Sequence, residues 1–212
     1  LICDWEMPDG AENPADISKR GWCVFERRLS SLTKDSQSCL TLSLMPSDAK
    51  DWFSVTYACK GDRFAPLTPD AFERMMRDEV AKEQAEAGSG LCFTNGKDAT
   101  AVCIPQYEEA FSRLLGTCKL LGYAGLGWGP AEGEQLAAAL AYAQRMGTIM
   151  PAERLILFKN MLGTAGVRAI GKVIEAGALP KLNVFMIDDN GADDETVDWV
   201  KTVASAAGSV SY

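Results

Sequence analysis

The strongest constraint on the fold is a pattern that occurs three times in the C-terminal part of the chain. Each copy has a short apolar run, a turn that contains glycine and an amphipathic stretch. The copies read LLGYAGLGWGPAEGEQLAAAL, RLILFKNMLGTAGVRAIGKVI and NVFMIDDNGADDETVDWVKTV. Their spacing of roughly 30 residues is typical of repeat proteins. One copy alone has too little core, so we expect neighbouring copies to bury one another, with parallel strands and the helices on one side.

The second copy, in the context AERLILFKNMLGTAGVRAIGKVIE, resembles the leucine-rich repeats of the ribonuclease-inhibitor subfamily. Leu155, Leu157 and Asn160 occupy its L-x-L-x-x-N positions, and two glycines follow as that subfamily prefers. The third copy keeps this spacing, whereas the first departs from it at Leu126. The predicted repeat positions are Leu121, Tyr123, Leu155, Leu157, Asn160, Phe185, Ile187 and Asn190.

This resemblance implies an α/β fold: a short leucine-rich-repeat solenoid, with parallel strands and helices on one side, capped by an α+β N-terminal domain. In such units, Asn160 and Asn190 are expected to satisfy backbone groups where the chain leaves each strand. A second interpretation is an ordinary α/β domain with three βαβ-like steps. Both interpretations predict parallel strands.

Composition and turn residues divide the chain into three parts. We predict an irregular segment at residues 1–18 and an α+β domain at residues 19–117. Residues 118–212 are predicted to form about three leucine-rich-repeat-like βα units. Within the second part, CLTLSLM at 39–45 alternates apolar and polar residues, and WFSVTYAC at 52–59 is aromatic and β-branched. Both runs therefore predict strands.

Helices are predicted around these two strands. Trp22 and Phe25 begin an apolar stripe with helical spacing, and Ser18 is its candidate N-cap. Thr68 is the candidate N-cap of a second helix that ends at the glycines after residue 87. A third helical region is expected from 98 or 100 to 115, with a kink or restart at the proline within it.

The charge and the missing histidine exclude several classes of function. The net charge of −8 disfavours nucleic-acid binding, which needs clustered lysine and arginine. The chain contains no histidine, which removes Ser-His-Asp and Cys-His mechanisms and the commonest metal ligand. No apolar stretch approaches the ~20 residues that span a bilayer, so no transmembrane segment is expected.

The seven cysteines indicate a reducing compartment, because they are odd in number, dispersed and partly placed in apolar runs. None shows CxxC spacing, and we expect neither a metal nor a cofactor.

GLGWGPAEG at 125–133 lacks the lysine of a phosphate loop. The acidic run IDDNGADDE at 187–195 does not fit an EF-hand loop and is better suited to a helix start. Cys23, near Arg20 and Arg27, is the candidate for a reactive thiol.

The stretch WCVFE raises the question of catalysis. It resembles the W-C-x-x-E stretch of TIR domains, in which a helix carries the glutamate used in NAD hydrolysis. Trp22, Cys23 and Glu26 match it, and the resemblance implies that Glu26 contacts the nicotinamide ribose. However, only a short segment rich in proline and glycine precedes this helix, where a TIR domain needs several elements. The competing interpretation is that Trp22 and Phe25 pack inward while Glu26 pairs with a neighbouring cation or faces water.

Residues 19–115 as a whole resemble a domain found beside leucine-rich repeats in unicellular algae and other protists. The shared landmarks are RGWCVFE, PLTPDAFERMM and FTNGKDATAV. This resemblance implies a shared fold and carries no activity. Because the chain begins at Leu1 and not at methionine, we expect a processed product or a fragment.

These observations favour a non-enzymatic protein–protein interaction module, a structural or accessory subunit of a larger assembly. The alternative is a TIR-like NAD-hydrolysing or nucleotide-binding enzyme that uses Glu26. The expected partners are other protein subunits, and peripheral association with a membrane complex is compatible with this function. The algal resemblance extends the expectation to an organelle, with the plastid stroma as one location. The predicted interface residues are Trp128, Trp199, Val200 and Val203.

Overall fold

The C-terminal strand segments pair in the order in which they occur. The computed structural model describes residue 10 and residues 15–35 and 38–207, so most of the predicted segment 1–18 lies outside the described residues. Strands β1 (Leu120–Gly122), β2 (Arg154–Ile156) and β3 (Val184–Met186) form a parallel sheet in that order. The predicted parallel pairing of these segments is therefore confirmed.

Helices alternate with these strands. They are α5 (Pro130–Arg145), α6 (Gly163–Glu175) and α7 (Asp194–Ala207), and α6 contacts both of the others. Helices α5 and α6 meet at two glycines, because a Cβ added at Gly133 would lie 2.8 Å from the Cα of Gly166. Such an approach of two backbones is open only to residues without a side chain.

The N-terminal part is helical. It contains α1 (Gly21–Ser30), α2 (Trp52–Ala58), α3 (Pro69–Ala85) and α4 (Ile104–Leu115), with 3₁₀ turns at Ile17–Lys19 and Leu42–Leu44 and a π-helical turn at Ala99–Cys103. As predicted, Thr68 caps α3 by accepting a hydrogen bond from the backbone N–H of Ala71 at 3.2 Å. The predicted Ser18 cap of α1 is wrong, since the N-cap is Arg20 and it makes no side-chain capping bond.

The predicted fold class is also wrong. About 53% of the described residues are helical and only 7% are in strands or bridges. In that part of the chain the strands form one small three-stranded sheet, and no solenoid of repeats is indicated. Each strand has three residues. In the described part of residues 19–117, β structure is limited to isolated bridges, so an α+β cap is not present there.

Both strands predicted in the N-terminal part are absent, for local reasons. Within residues 39–45, the chain makes bridge contacts at Leu40 and Thr41 and then a 3₁₀ turn at Leu42–Leu44. Within residues 52–59, Trp52–Ala58 form α2, because Asp51 and Ser54 make a reciprocal capping box at its start. Capping at the first turn satisfies backbone N–H groups that a lone strand would leave open. Aromatic and β-branched content favours a strand only where neighbouring strands pack against it.

One cluster of buried apolar side chains extends through both parts of the chain. At their contact, the indole of Trp128 stacks on Tyr123 and donates a hydrogen bond to the carbonyl of Arg63 at 2.8 Å. The hydroxyl of Tyr123 donates to the carbonyl of Leu32 in the same region. The indole N–H and the tyrosine hydroxyl are buried, and their hydrogen bonds to backbone carbonyls across the contact hold the two parts in a defined position.

Candidate functional site

Residues 42–58 form an arm that projects from a closed base. At the base, an antiparallel bridge joins Leu40 to Lys60. Two hydrogen bonds close it, from the N–H of Thr41 to the carbonyl of Cys59 at 2.7 Å and from the N–H of Gly61 to the carbonyl of Cys39 at 3.0 Å. The arm therefore leaves and rejoins the fold at one point and consists of the 3₁₀ turn, a bend and α2.

The arm exposes large apolar side chains and buries none of those on α2. The rings of Phe53 and Tyr57 stack with centroids 6.4 Å apart and planes 18° from parallel. Adjacent large apolar groups exposed in this way mark interaction surfaces more often than isolated ones do. The exposed fractions are 52% for Leu44, 51% for Met45, 68% for Trp52, 74% for Phe53 and 80% for Tyr57.

Helix α2 is stabilised locally. The Asp51 carboxylate accepts from the backbone N–H of Ser54 and from the Ser54 hydroxyl, both at 2.7 Å. These hydrogen bonds lower the pKa of Asp51, because they stabilise its charged form. A short helix without buried side chains depends on such a cap.

A groove of about 700 Å³ separates the arm from the open face of the sheet. Phe53 and Tyr57 line one wall, and Leu120, Ile156 and Phe158 line the other. In a strand, alternate side chains point to opposite faces, so Leu120 and Ile156 face the groove while Leu121 and Leu155 are buried under the sheet. The volume lies within the range of roughly 300–1,000 Å³ that is usual for binding sites.

Two cationic side chains donate hydrogen bonds to backbone carbonyls at the end of β1 and just beyond it, beside this groove. The ammonium of Lys60 donates to the carbonyls of Ala124 and Gly125, the latter at 2.7 Å. The guanidinium of Arg63 is buried, stacks over the ring of Tyr123 and donates to the carbonyl of Gly122 at 2.8 Å. Burial lowers the pKa of Lys60, and the positive charge of Arg63 lowers it further.

The structure places Glu26 away from the groove. It is exposed and lines a smaller pocket of about 260 Å³ that shares none of its described lining residues with the groove. Phe25 packs inward as predicted, whereas Trp22 is about one-third exposed and donates from its indole to the Asp98 carboxylate at 3.0 Å. Burial raises the pKa of the Cys23 thiol, and the Glu26 charge raises it further, which opposes the reactive thiolate considered for Cys23.

The predicted repeat positions are internal. Asn160 accepts from the N–H groups of Leu126 and Trp128 and donates to the carbonyls of Tyr123 and Leu157. Asn190 is also buried and bonds backbone groups in the same way. The six apolar positions are all buried, namely Leu121, Tyr123, Leu155, Leu157, Phe185 and Ile187.

The four predicted interface residues do not form one surface. Trp128 and Val200 are buried in the chain's own core. Trp199 and Val203 are partly buried and pack against that core, and a Cβ at Gly171 would lie 2.4 Å from the Trp199 ring.

The groove itself was not predicted. Its aromatic wall was assigned to a strand, although Asp51 directly before WFSVTYA and Ser54 three residues later are the signature of a capped helix.

Within the described ranges, no cluster of three or more acidic or cysteine side chains is arranged to hold a metal ion. Nor does any described helix have the length and apolar character needed to cross a membrane. Comparison with protein-family models, curated proteins and solved structures gives no match. The resemblances of WCVFE and of residues 19–115 therefore stay predictions from the sequence.

Proposed function

We propose that this chain is a non-enzymatic protein-binding subunit of a larger assembly, and that the arm and the adjacent groove hold its partner. The observation that carries the proposal is the concentration of five large, exposed apolar side chains on one arm that faces an apolar groove. Interfaces draw most of their affinity from a few such anchors, with aromatic side chains enriched among them.

The arm is suited to this role because its aromatic side chains do little for the chain's own core. Burial of apolar surface by a partner contributes about 25 cal/mol per Å². The rings of Phe53 and Tyr57 already stack on each other in the unbound chain. Preorganised anchors reduce the conformational entropy lost on association, which favours binding.

The geometry supports catalysis at Glu26 less well. A catalytic carboxylate is usually desolvated in a cleft, where burial and charged neighbours tune it. Glu26 lines its pocket but is exposed, and its neighbour Trp22 donates a hydrogen bond to Asp98. Incubation of the purified chain with NAD tests the alternative directly: we expect no nicotinamide release, and release that is lost in Glu26→Gln would overturn the proposal.

The test of partner binding uses matched variants of the intact chain as bait in native material. The site variant carries Phe53→Ser and Tyr57→Ser. The control carries Met146→Ser and Ile149→Ser, which remove side chains of comparable exposure, 63% and 75%, outside the groove. We expect a protein that is captured by the native chain and the control but not by the site variant. Mass spectrometry identifies it, and titration of the purified pair confirms direct binding.

The contrary result is equally clear. If the site variant captures the same proteins as the native chain, the arm is not the anchor and the proposal fails. Circular dichroism of all three baits checks that they are folded, and we expect equal spectra because the substituted side chains are exposed.

A further inference from the structure

The groove carries positive charge in an acidic chain. The net charge of the whole chain is −8, yet two lysines, Lys60 and Lys159, line the groove together with one carboxylate, Asp35. The Asp35 charge also acts on the buried Arg63 guanidinium behind the groove wall. The net charge of the groove lining is therefore positive, opposite in sign to that of the whole protein, and this favours an anionic occupant.

Lys60 is the cation whose position matters most. Its ammonium is half-buried and is held by two backbone carbonyls, with the buried Arg63 as a neighbouring positive charge. Carbonyl dipoles solvate an ammonium only in part, and a desolvated charge is stabilised more strongly by a counter-ion. A carboxylate brought into the groove would supply that counter-ion at a site with reduced screening by water.

The apolar walls lie beside this cation. Lys60 follows Tyr57 closely in the chain, and the opposite wall carries Ile156 and Phe158. Gly122 and Ala124 also line the groove, between these walls and Lys60. One ligand segment can therefore reach the aromatic wall and the ammonium at the same time.

We infer that the occupant of the groove is a peptide segment of the partner protein in which a glutamate or aspartate lies close to a large apolar side chain, the carboxylate pairing with Lys60 and the apolar group packing between the arm and the sheet. This inference rests on the proposed function and adds the chemistry of the partner. It assigns Lys60 a second role besides closing the sheet edge.

The experiment uses the full chain to select binders from a display library of short random peptides. We expect enriched sequences to place an acidic residue within a few positions of an aromatic or aliphatic one. Synthetic copies of the strongest binder are then titrated against the native chain, Lys60→Gln and Lys60→Arg. We expect about tenfold weaker binding for Lys60→Gln and near-native binding for Lys60→Arg, because only the former removes the charge.

A second measurement does not depend on any variant folding. Raising sodium chloride from about 0.05 to about 0.5 M should weaken binding of the acidic peptide, and should do so less for a copy with glutamine in place of its acid. Enrichment of basic or uncharged peptides would overturn the inference. Equal affinity of the native chain and Lys60→Gln for the acidic peptide would also overturn it. Failure to select any binder that depends on Phe53 and Tyr57 would overturn it as well.

The two proposals fail separately. Capture of a protein partner through the arm, combined with peptides of the wrong charge, removes the acidic-segment inference and leaves the protein-binding function standing. Loss of arm-dependent capture removes the function itself.

Discussion

The arm and the C-terminal strand–helix part contain similar residues but use them in opposite ways. Phe185 and Leu157 lie under the sheet and are fully buried, whereas Phe53 and Tyr57 on α2 are mostly exposed. The difference follows from what surrounds each segment: β3 pairs with a neighbouring strand, and α2 is held by its own cap. An apolar side chain becomes core only where the chain offers a second surface to cover it.

The largest expected difference between the two regions concerns their phenylalanines. Phe185→Ala should lower the free energy of unfolding by about 3–5 kcal/mol, because it leaves a cavity in a fully packed site. Phe53→Ala should change it by less than about 0.5 kcal/mol, because that ring is mostly exposed. Urea denaturation of both variants measures the contrast. Similar losses in the two variants would show that the arm is part of the core.

The buried amide of Asn160 offers a second contrast. Asn160→Ala should destabilise the fold by about 3 kcal/mol, because four backbone groups lose their partner away from water. Asn160→Asp keeps the side-chain oxygen that accepts from Leu126 and Trp128 but loses the NH₂ group that donates to backbone carbonyls. Its effect on the free energy of unfolding therefore distinguishes the contribution of the oxygen from that of the nitrogen. In the arm, Thr56→Ala removes one exposed hydrogen bond to Phe53 and should cost under about 0.5 kcal/mol. An equal effect of the two alanine variants in chemical denaturation would contradict the contrast.

The smallest effect concerns two capping carboxylates at low pH. Asp193 accepts from the Thr164 hydroxyl and from the Thr196 N–H, which lowers its pKa from 3.8 to about 2. A carboxyl group with a lowered pKa stabilises the fold fully above its unfolded pKa, and this stabilisation is lost as the pH falls through the folded one. Asp193→Asn should therefore flatten the fall in melting temperature between about pH 4 and about pH 2.

The matched variant for that measurement is Asp51→Asn. Its carboxylate has a lowered pKa for a similar reason, but it caps a helix whose side chains are not buried. We expect its melting temperature to follow the native chain across the same acid range, since α2 can unfold without exposing core. A flattened curve for this variant would show that the arm is coupled to global unfolding.

Local signals in the sequence predicted part of this fold. Helix α3 was predicted from Thr68 and the proline after it, and parallel pairing of the C-terminal strands from the apolar runs. The bonds made by Asn160 and Asn190 were also predictable, because an amide can donate and accept where a chain turns.

What sequence reasoning missed depends on tertiary context. A solenoid was expected because the three segments look alike, yet likeness of segments does not fix the proportion of strand, and only short strands form. Phe53 and Tyr57 were assigned to a strand by residue type, whereas the capping box before them decided for a helix. The groove itself joins residues far apart in the chain, from Asp35 to Lys159, and no local pattern reports such a meeting.

The cations that close the outer side of β1 also bear on how this chain meets copies of itself. An open strand edge is a template on which a second chain can add, and runs of such additions lead to aggregates. Arg63 occupies the carbonyl of Gly122 at the end of β1, and Lys60 occupies that of Ala124 just beyond it, so an incoming strand would have to displace two charged groups before it could pair. These two side chains therefore protect the outer edge of the sheet against uncontrolled self-association, without an additional strand to cover that edge.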